Sequence, residues 1–318
     1  MSFNNESIII QHSVKVGLTL SKKMASYSIN DLEKITGIKA HTIRIWEKRY
    51  DVVHPDRTPT NIRYYSDADL VRLLNISTLN RYGFRISEIV ALPHGELTQK
   101  ISELSLSGSD FESQINSLIL SMLNLDEDLF EKVFSASVLK IGFEKTITQI
   151  LYPLLERIGM FWQIGTINPG QEHFISNLIR QKIIVAIDAQ RTQLSASAKS
   201  FLLYLPENEP HELGLLFLHF LLKRDGNKSY YLGQNVPFEA LVEICAKVQV
   251  DYLITYLISS FSKKEIPFYL SKLSESFPEK KIFITGLQAR KIDFALPKNI
   301  CLFNTSVELL EKLKAKVD

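Results

Sequence analysis

The six residues from Glu209 to Gly214, Glu-Pro-His-Glu-Leu-Gly, have the types and spacing of a metal-binding or ligand-binding turn. A carboxylate two residues before His211 can hold one imidazole nitrogen and leave the other to face a metal. Gly214 allows a bulky ligand to approach the backbone closely. The alternative is a solvated loop with an ordinary histidine, and the hexapeptide alone does not decide between the two.

The elements around this turn predict where it lies in a fold. The apolar run 201–205 is typical of a buried strand, and residues 215–222 of a helix. Strand and helix patterns go on alternating to the end of the chain, which predicts a Rossmann-like, doubly wound parallel sheet over residues 198–318. The turn would then lie at a carboxyl edge of the sheet, where such folds bind ligands. The fold alone fits many functions.

Residues 108–195 show apolar positions at helical spacing and follow a serine-rich linker at 104–110. Four amphipathic helices of this kind predict a helical bundle. Pro153 and Gly159 interrupt the third helix or mark its ends. Taken alone, Trp162 is most simply a core residue, and Glu172 with His173 an exposed helix start.

Residues 26–95 predict a winged helix-turn-helix. Ser28 caps a short helix that ends at Gly37, and a second helix follows from residue 41 to 50, with Ile43 and Trp46 buried. Residues 53–65 form a two-stranded wing, and two further helices follow. Such a second helix enters a DNA major groove. The alternative is a helical protein-interaction domain with a solvated charged face.

Composition restricts the function classes. The 318 residues are 45% hydrophobic and 23% charged, with a net charge of +2, so DNA binding requires a local patch. Between Lys39 and Arg63 there are six basic and three acidic residues. Two cysteines argue against a disulfide scaffold and suit a reducing cytoplasm, and no run is long enough for a transmembrane helix. We expect residues 1–25 to be a disordered extension, or the start to be Met24.

The front domain resembles the MerR family of transcription regulators, through residues 42–50 (Thr-Ile-Arg-Ile-Trp-Glu-Lys-Arg-Tyr) and 61–65 (Asn-Ile-Arg-Tyr-Tyr). The resemblance implies a dimer on a roughly palindromic operator, with RNA polymerase as a further possible partner. It implies DNA contacts from the second helix and the wing, namely Lys39, His41, Thr42, Arg44, Arg49, Arg57, Arg63 and Tyr64. Trp46 and Tyr65 are expected in the core.

The rear of the chain resembles the cobalamin-binding domains of CarH/LitR-type MerR regulators. Trp162, nine residues and then Glu172-His173 match the bundle of that family, and Glu209-x-His211-x-x-Gly214 is similar to its Asp-x-His-x-x-Gly signature. Thr255-x-Leu257 and Gly286 lie near the positions of two further family motifs.

The resemblance implies cobalamin, with adenosylcobalamin as its expected form. His211 would be the lower axial ligand of cobalt, and Glu209 would orient it. The nucleotide tail would slot near Thr255 and Gly286, and Trp162 with Glu172 and His173 would cover the upper face. The implied function is a repressor, not an enzyme, whose operator binding and assembly into a dimer or tetramer depend on cobalamin.

Two residues differ from the pattern of the CarH/LitR-type regulators and leave alternatives open. Gln163 stands where light-responsive members have a histidine after the tryptophan, and Leu287 replaces the second glycine of a Gly-Gly pair. A light-independent sensor and a photoreceptor therefore both remain open, as does a regulator whose rear domains only assemble it or bind another ligand. A corrinoid-carrying methyltransfer protein is a remote alternative, because the chain has no catalytic barrel and carries a DNA-binding head.

Overall fold

The computed structural model describes residues 26–93, 96–97, 100–101, 103–104, 110–164, 166–190 and 194–314. The chain divides into two compact units, residues 1–172 and residues 173–318. The predicted extension of residues 1–25 and most of the predicted linker lie outside the described residues. Within the described ranges, no helix is both long and apolar enough to cross a membrane.

The first unit begins with the predicted winged helix-turn-helix. Its elements are α1 (Ile29–Thr36), α2 (Ala40–Tyr50), an antiparallel pair of strands β1 (Asp56–Arg57) and β2 (Arg63–Tyr64), α3 (Asp67–Arg81) and α4 (Ile86–Ala91). Ser28 and Asp31 form a capping box at the start of α1, and Gly37 ends that helix with φ of 72°. This left-handed residue makes the tight turn into α2.

Helical segments occupy the remainder of the first unit and continue into the second. They are α5 (Phe111–Asn124), α6 (Glu127–Ile141), α7 (Phe143–Thr146), a π-helical turn (Ile147–Leu151), α8 (Tyr152–Ile164) and α9 (Pro169–Asp188). The wide turn ends at Leu151, two residues before Pro153, whose ring would otherwise crowd the carbonyl groups of the previous turn. Gly159 lies inside α8, so the prediction that it interrupts or ends a helix was wrong.

The second unit contains a five-stranded parallel sheet in the order β4-β3-β5-β6-β7. Its elements are β3 (Ser200–Pro206), α10 (Leu213–Arg224), β4 (Lys228–Val236), α11 (Phe238–Lys247), β5 (Tyr252–Tyr256), α12 (Glu265–Ser276), β6 (Lys281–Thr285), β7 (Ile300–Leu302) and α13 (Ser306–Lys314). The predicted doubly wound parallel sheet is confirmed. Its chain order reverses between β3 and β5, where such sheets form a crevice.

Successive residues of β5 face opposite layers of the second unit. Leu253 and Leu257 join a buried cluster with Leu241 of α11 and Leu270 of α12. Tyr256 faces the other layer, where it contacts the first turn of α10. At the end of β5, Tyr256 is therefore the side chain on the α10 side of the sheet, and Leu257 lies on the other side.

Candidate functional site

The turn between β3 and α10 contains a buried carboxylate with several donors. The side chain of Glu209 is fully buried. Its Oε2 accepts hydrogen bonds from the backbone N–H groups of Ile258 at 2.8 Å, Ser259 at 2.7 Å and Ser260 at 3.1 Å. Its Oε1 lies 2.6 Å from Nδ1 of His211. The loop after β5 therefore fixes the carboxylate, and the carboxylate fixes the imidazole.

The electrostatics of Glu209 favour its ionised form. Burial raises its pKa, but hydrogen bonds from His211 and from the N–H groups of Ser259 and Ile258 outweigh burial and lower the pKa to about 2. A carboxylate at Nδ1 stabilises the tautomer with a proton on that nitrogen and raises the basicity of Nε2. The His211 side chain is 53% exposed, which suits a ligand that approaches the edge of the sheet.

Sequence reasoning missed Ser259. Its hydroxyl lies 3.3 Å from both Oε1 of Glu209 and Nδ1 of His211, so it completes a three-residue arrangement around the imidazole. The available signal was topological, because neighbouring parallel strands end at the same edge of a sheet and Ser259 follows β5 as the turn follows β3.

A second buried acid in the turn, Glu212, was also missed. It forms an ion pair with Arg180 of α9 and accepts a hydrogen bond of 2.6 Å from the hydroxyl of Tyr231 in β4. Both of its carboxylate oxygens are therefore satisfied, which offsets the cost of burying the charge. The turn is thus held by Glu209 on the β5 side and by Glu212 on the α9 and β4 side.

Thr255 and Gly214, two of the predicted cofactor-binding residues, lie in opposite layers of the second unit. Thr255 is buried, and its hydroxyl has no hydrogen-bond partner among the described residues. It lies two residues from both Leu253 and Leu257, so it faces the same α11 and α12 layer as they do. Gly214 lies in the opposite layer, on α10. The prediction that the nucleotide tail lies near Thr255 and Gly286 stays a prediction, and Leu257 is a core residue of the α11 and α12 layer.

Gly286 follows β6 with φ of 114°. A Cβ atom at this position would lie 2.4 Å from the carbonyl oxygen of Leu257, so the crowded backbone of the neighbouring strand by itself requires glycine here. The structure therefore explains Gly286 by packing, and its role in binding a tail stays a prediction.

Trp162 is 49% exposed, so the interpretation of it as a bundle core residue was wrong. Its neighbour Phe161 is fully buried instead and packs edge-to-face on Tyr27. An exposed indole is suited to covering a flat ligand. Glu172, half-buried, and His173, exposed, follow in the first turns of α9.

The second helix, α2, presents a basic face with one apolar member. His41, Arg44, Ile45 and Lys48 are exposed and recur at the spacing of one helix face. Ile45, which sequence reasoning missed, is 53% exposed. Such a face combines phosphate-binding charges with an apolar group able to contact a thymine methyl. Arg49 is exposed and lies over the ring of Tyr50.

Three of the residues that were predicted to contact DNA form side-chain interactions within the domain. Arg63 donates from Nε to both carboxylate oxygens of Glu47, at 3.0 and 3.2 Å, and so joins the wing to α2. Arg57 donates to Asn61 at 2.6 Å, and Lys39 pairs with Glu33 at 3.0 Å.

The remaining residues for which a position was predicted in this domain differ in how far they are buried. Thr42 and Tyr64 are half-buried. Tyr65 is fully buried, as expected. Trp46 was expected to be buried in the core, but it is only half-buried.

Comparisons with known proteins identify two domains of the chain. Residues 27–93 match the MerR HTH family of regulatory proteins, and residues 114–186 match a B12 binding domain. The chain is 27% identical over 272 residues to the HTH-type transcriptional repressor CarH of Myxococcus xanthus, covering 83% of this chain and 90% of that protein. It is 26% identical over 265 residues to the repressor CarA of the same organism, covering 83% and 87%.

Among solved structures, the monomethylamine corrinoid protein of Methanosarcina barkeri is 17% identical, with a TM-score of 0.49, and the match covers 63% of this chain and 96% of that one. The family matches carry the assignment, since they cover both the DNA-binding head and the bundle. The chain therefore contains a MerR HTH domain and a B12 binding domain, and over 83% of its length it is similar to two HTH-type transcriptional repressors.

Proposed function

We propose that this chain is a repressor whose binding to operator DNA is controlled by a cobalamin held at His211. The observation that carries the proposal is the Glu209 carboxylate, which is fully buried, fixed by three backbone N–H groups and in contact with Nδ1 of a half-exposed imidazole. Carboxylates that hold the far ring nitrogen of the imidazole in this way accompany metal-binding histidines. The similarity to two repressors and the B12 binding domain support the same reading.

The donor set fits a corrinoid. His211 would ligate cobalt through Nε2, while Glu209 and Ser259 orient the ring. Trp162, Glu172 and His173 would cover the upper face, and the exposed indole suits the adenosyl group of adenosylcobalamin, the form we propose. A bound cobalamin would supply a large rigid surface and a cobalt–histidine bond that join parts of the chain.

Operator binding would use α2 and the wing. His41, Arg44 and Lys48 would contact phosphates and base edges, and Ile45 would lie against the bases. A dimer would read a roughly palindromic site, and tetramer formation and contact with RNA polymerase are further expectations. Such a protein acts where its operator is, which we take to be the cytoplasm.

Control would follow from linkage. If cobalamin binds more tightly to the conformation or oligomer that binds DNA, it raises operator affinity by the same factor. This requires no contact between the cofactor and DNA.

Occupancy by cobalamin, rather than light, is the control we propose, because the carboxamide of Gln163 is a poor cobalt ligand in the place of the histidine that light-responsive members have. Illumination of the loaded protein should therefore change operator affinity less than removal of the cofactor does.

The test uses an operator selected from random duplexes by the purified full-length chain. Its affinity for that operator is measured in the dark with and without adenosylcobalamin, for the wild type and for His211→Ala. We expect a cobalamin-dependent change of about fivefold or more that His211→Ala abolishes. Equal affinity with and without the cofactor, despite its retention, would contradict cofactor control. Cobalamin retention without any selected operator would favour a corrinoid carrier.

A further inference from the structure

We propose that Tyr256 fills the space beside Gly214, so that the site binds a corrinoid whose nucleotide tail is absent or stays outside the protein. This inference rests on the proposed function and names the ligand class of the same site. It concerns the space beside His211, in the layer between the sheet and helices α10 and α13.

The chemistry of cobalamin places a demand on that space. The nucleotide tail leaves the lower face of the corrin, which is the face that a histidine ligand occupies. If His211 ligates cobalt, the tail begins next to His211 at the carboxyl edge of the sheet. It must then either enter a layer between sheet and helices or remain in solvent.

Tyr256 occupies the layer on the α10 side. It is the last residue of β5 and is only 8% exposed. Its Cε1 atom lies 2.8 Å from the position that a Cβ atom would have at Gly214, in the first turn of α10. Its hydroxyl lies 3.5 Å from Oγ of Ser306, at the start of α13, and its ring packs edge-to-face on Phe303. The side chain therefore extends from α10 to α13.

The space beside Gly214, the glycine of the binding motif, is thus occupied by a side chain of the protein itself. Any side chain at position 214 would collide with the Tyr256 ring, so the space that Gly214 provides is taken by a tyrosine. A nucleotide base entering between α10 and β5 would have to displace that ring, because protein interiors are close-packed.

The opposite layer is also filled. The hydroxyl groups of Tyr204 and Tyr269 lie 2.9 Å apart there, and Phe261 packs on Tyr269 with ring centroids 4.5 Å apart. Thr255 faces this layer, and its hydroxyl is buried without a partner among the described residues. A tail could not reach it without separating the tyrosine pair.

The experiment compares two corrinoids that differ in the tail. One is cobinamide, which has no nucleotide tail. The other is a cobamide with a phenolic tail, whose base does not coordinate cobalt and so does not compete with His211. Their dissociation constants for the full-length chain are measured by absorbance titration in the dark, for the wild type, Tyr256→Ser and the matched control Tyr256→Phe, which keeps the ring.

We expect the wild type and Tyr256→Phe to bind the two corrinoids within about threefold of each other. Tyr256→Ser should bind the tailed cobamide about tenfold more tightly while its affinity for cobinamide is unchanged. The wild-type comparison needs no substitution, so it remains decisive if Tyr256→Ser does not fold.

Binding of the tailed cobamide to the wild type ten times more tightly than cobinamide would overturn the inference and leave the proposed function intact. An equal gain for both corrinoids in Tyr256→Ser would also overturn it. Retention of neither corrinoid by the wild type would overturn the proposed function and this inference together.

Discussion

Nδ1 of His211 lies 2.6 Å from Oε1 of Glu209, a carboxylate that is fully buried and whose other oxygen accepts three backbone hydrogen bonds. The imidazole is thereby held by a group that the loop after β5 keeps ionised and immobile. Such an arrangement costs desolvation of a charge, and the hydrogen bonds offset that cost. Its use is to present Nε2 in one orientation.

Replacement of Glu209 by Gln should weaken corrinoid binding about 10- to 100-fold, because the neutral amide orients the imidazole less strongly and makes Nε2 less basic. Titration of the purified chain with hydroxocobalamin measures the effect. Glu209→Asp is the matched control and should retain most of the affinity, since it keeps the charge. Equal affinity of the Gln variant and the wild type, with both folded, would contradict the role of Glu209.

Trp162→Ala should leave the folded state nearly unchanged, because the indole is half-exposed, but should weaken retention of adenosylcobalamin. The neighbouring Phe161→Ala is the matched control: it removes a fully buried ring and should cost about 3–5 kcal/mol in the free energy of unfolding. Thermal unfolding and dark absorbance titrations separate the two effects. A large loss of stability in Trp162→Ala would show that the indole is a packing residue after all.

Arg44→Ala should weaken operator binding about tenfold and reduce the salt dependence of binding by roughly one phosphate contact, without a change in melting temperature. Arg63→Ala should act differently, since Arg63 is paired with Glu47: we expect a lower melting temperature of the head and a smaller direct effect on DNA. Affinity measured over a range of salt concentrations tests this. The same salt slope for Arg44→Ala and the wild type would exclude a phosphate contact from Arg44.

His219 predicts a pH dependence of stability. Burial, with a smaller contribution from Lys223, lowers its pKa from 6.5 to about 4, and its Nδ1 lies 2.7 Å from the hydroxyl of Ser229. Because the pKa is lower in the folded state, His219 contributes stability above about pH 6.5, and that stability is lost as the pH falls towards 4. Thermal unfolding between pH 7 and 4 should show the decrease. His219→Gln, neutral throughout, should show a smaller one, and an unchanged slope would contradict the assignment.

Much of the fold follows from patterns that local physics determines. The alternation of apolar strands and amphipathic helices was sufficient for the parallel sheet, because parallel strands need crossover connections and these are usually helices. Ser28 with Asp31 marked the start of α1, and Gly37 marked its end at the turn into α2. These residues indicated the helix-turn-helix because helix capping is a local property.

Sequence patterns were least informative where two adjacent residues face opposite sides, so that a shift of one position changes which side chain is buried. Trp162 and Phe161 are adjacent in α8, and periodicity did not show that Phe161 takes the buried position. Thr255 and Tyr256 are adjacent in β5, and the motif spacing gave no indication that the ring of Tyr256 lies against Gly214. Contacts between distant segments, such as Ser259 with Glu209 and Arg180 with Glu212, left no local pattern.

Ligation of cobalamin by His211 is tested most directly by the visible spectrum of the full-length chain, which is mixed in the dark with adenosylcobalamin and desalted, beside that of His211→Ala. We expect the wild type to retain the cofactor with a spectrum of histidine ligation, and the variant to lose that spectrum. A wild type that retains no cobalamin, or a variant whose retained spectrum is identical to that of the wild type, would contradict it.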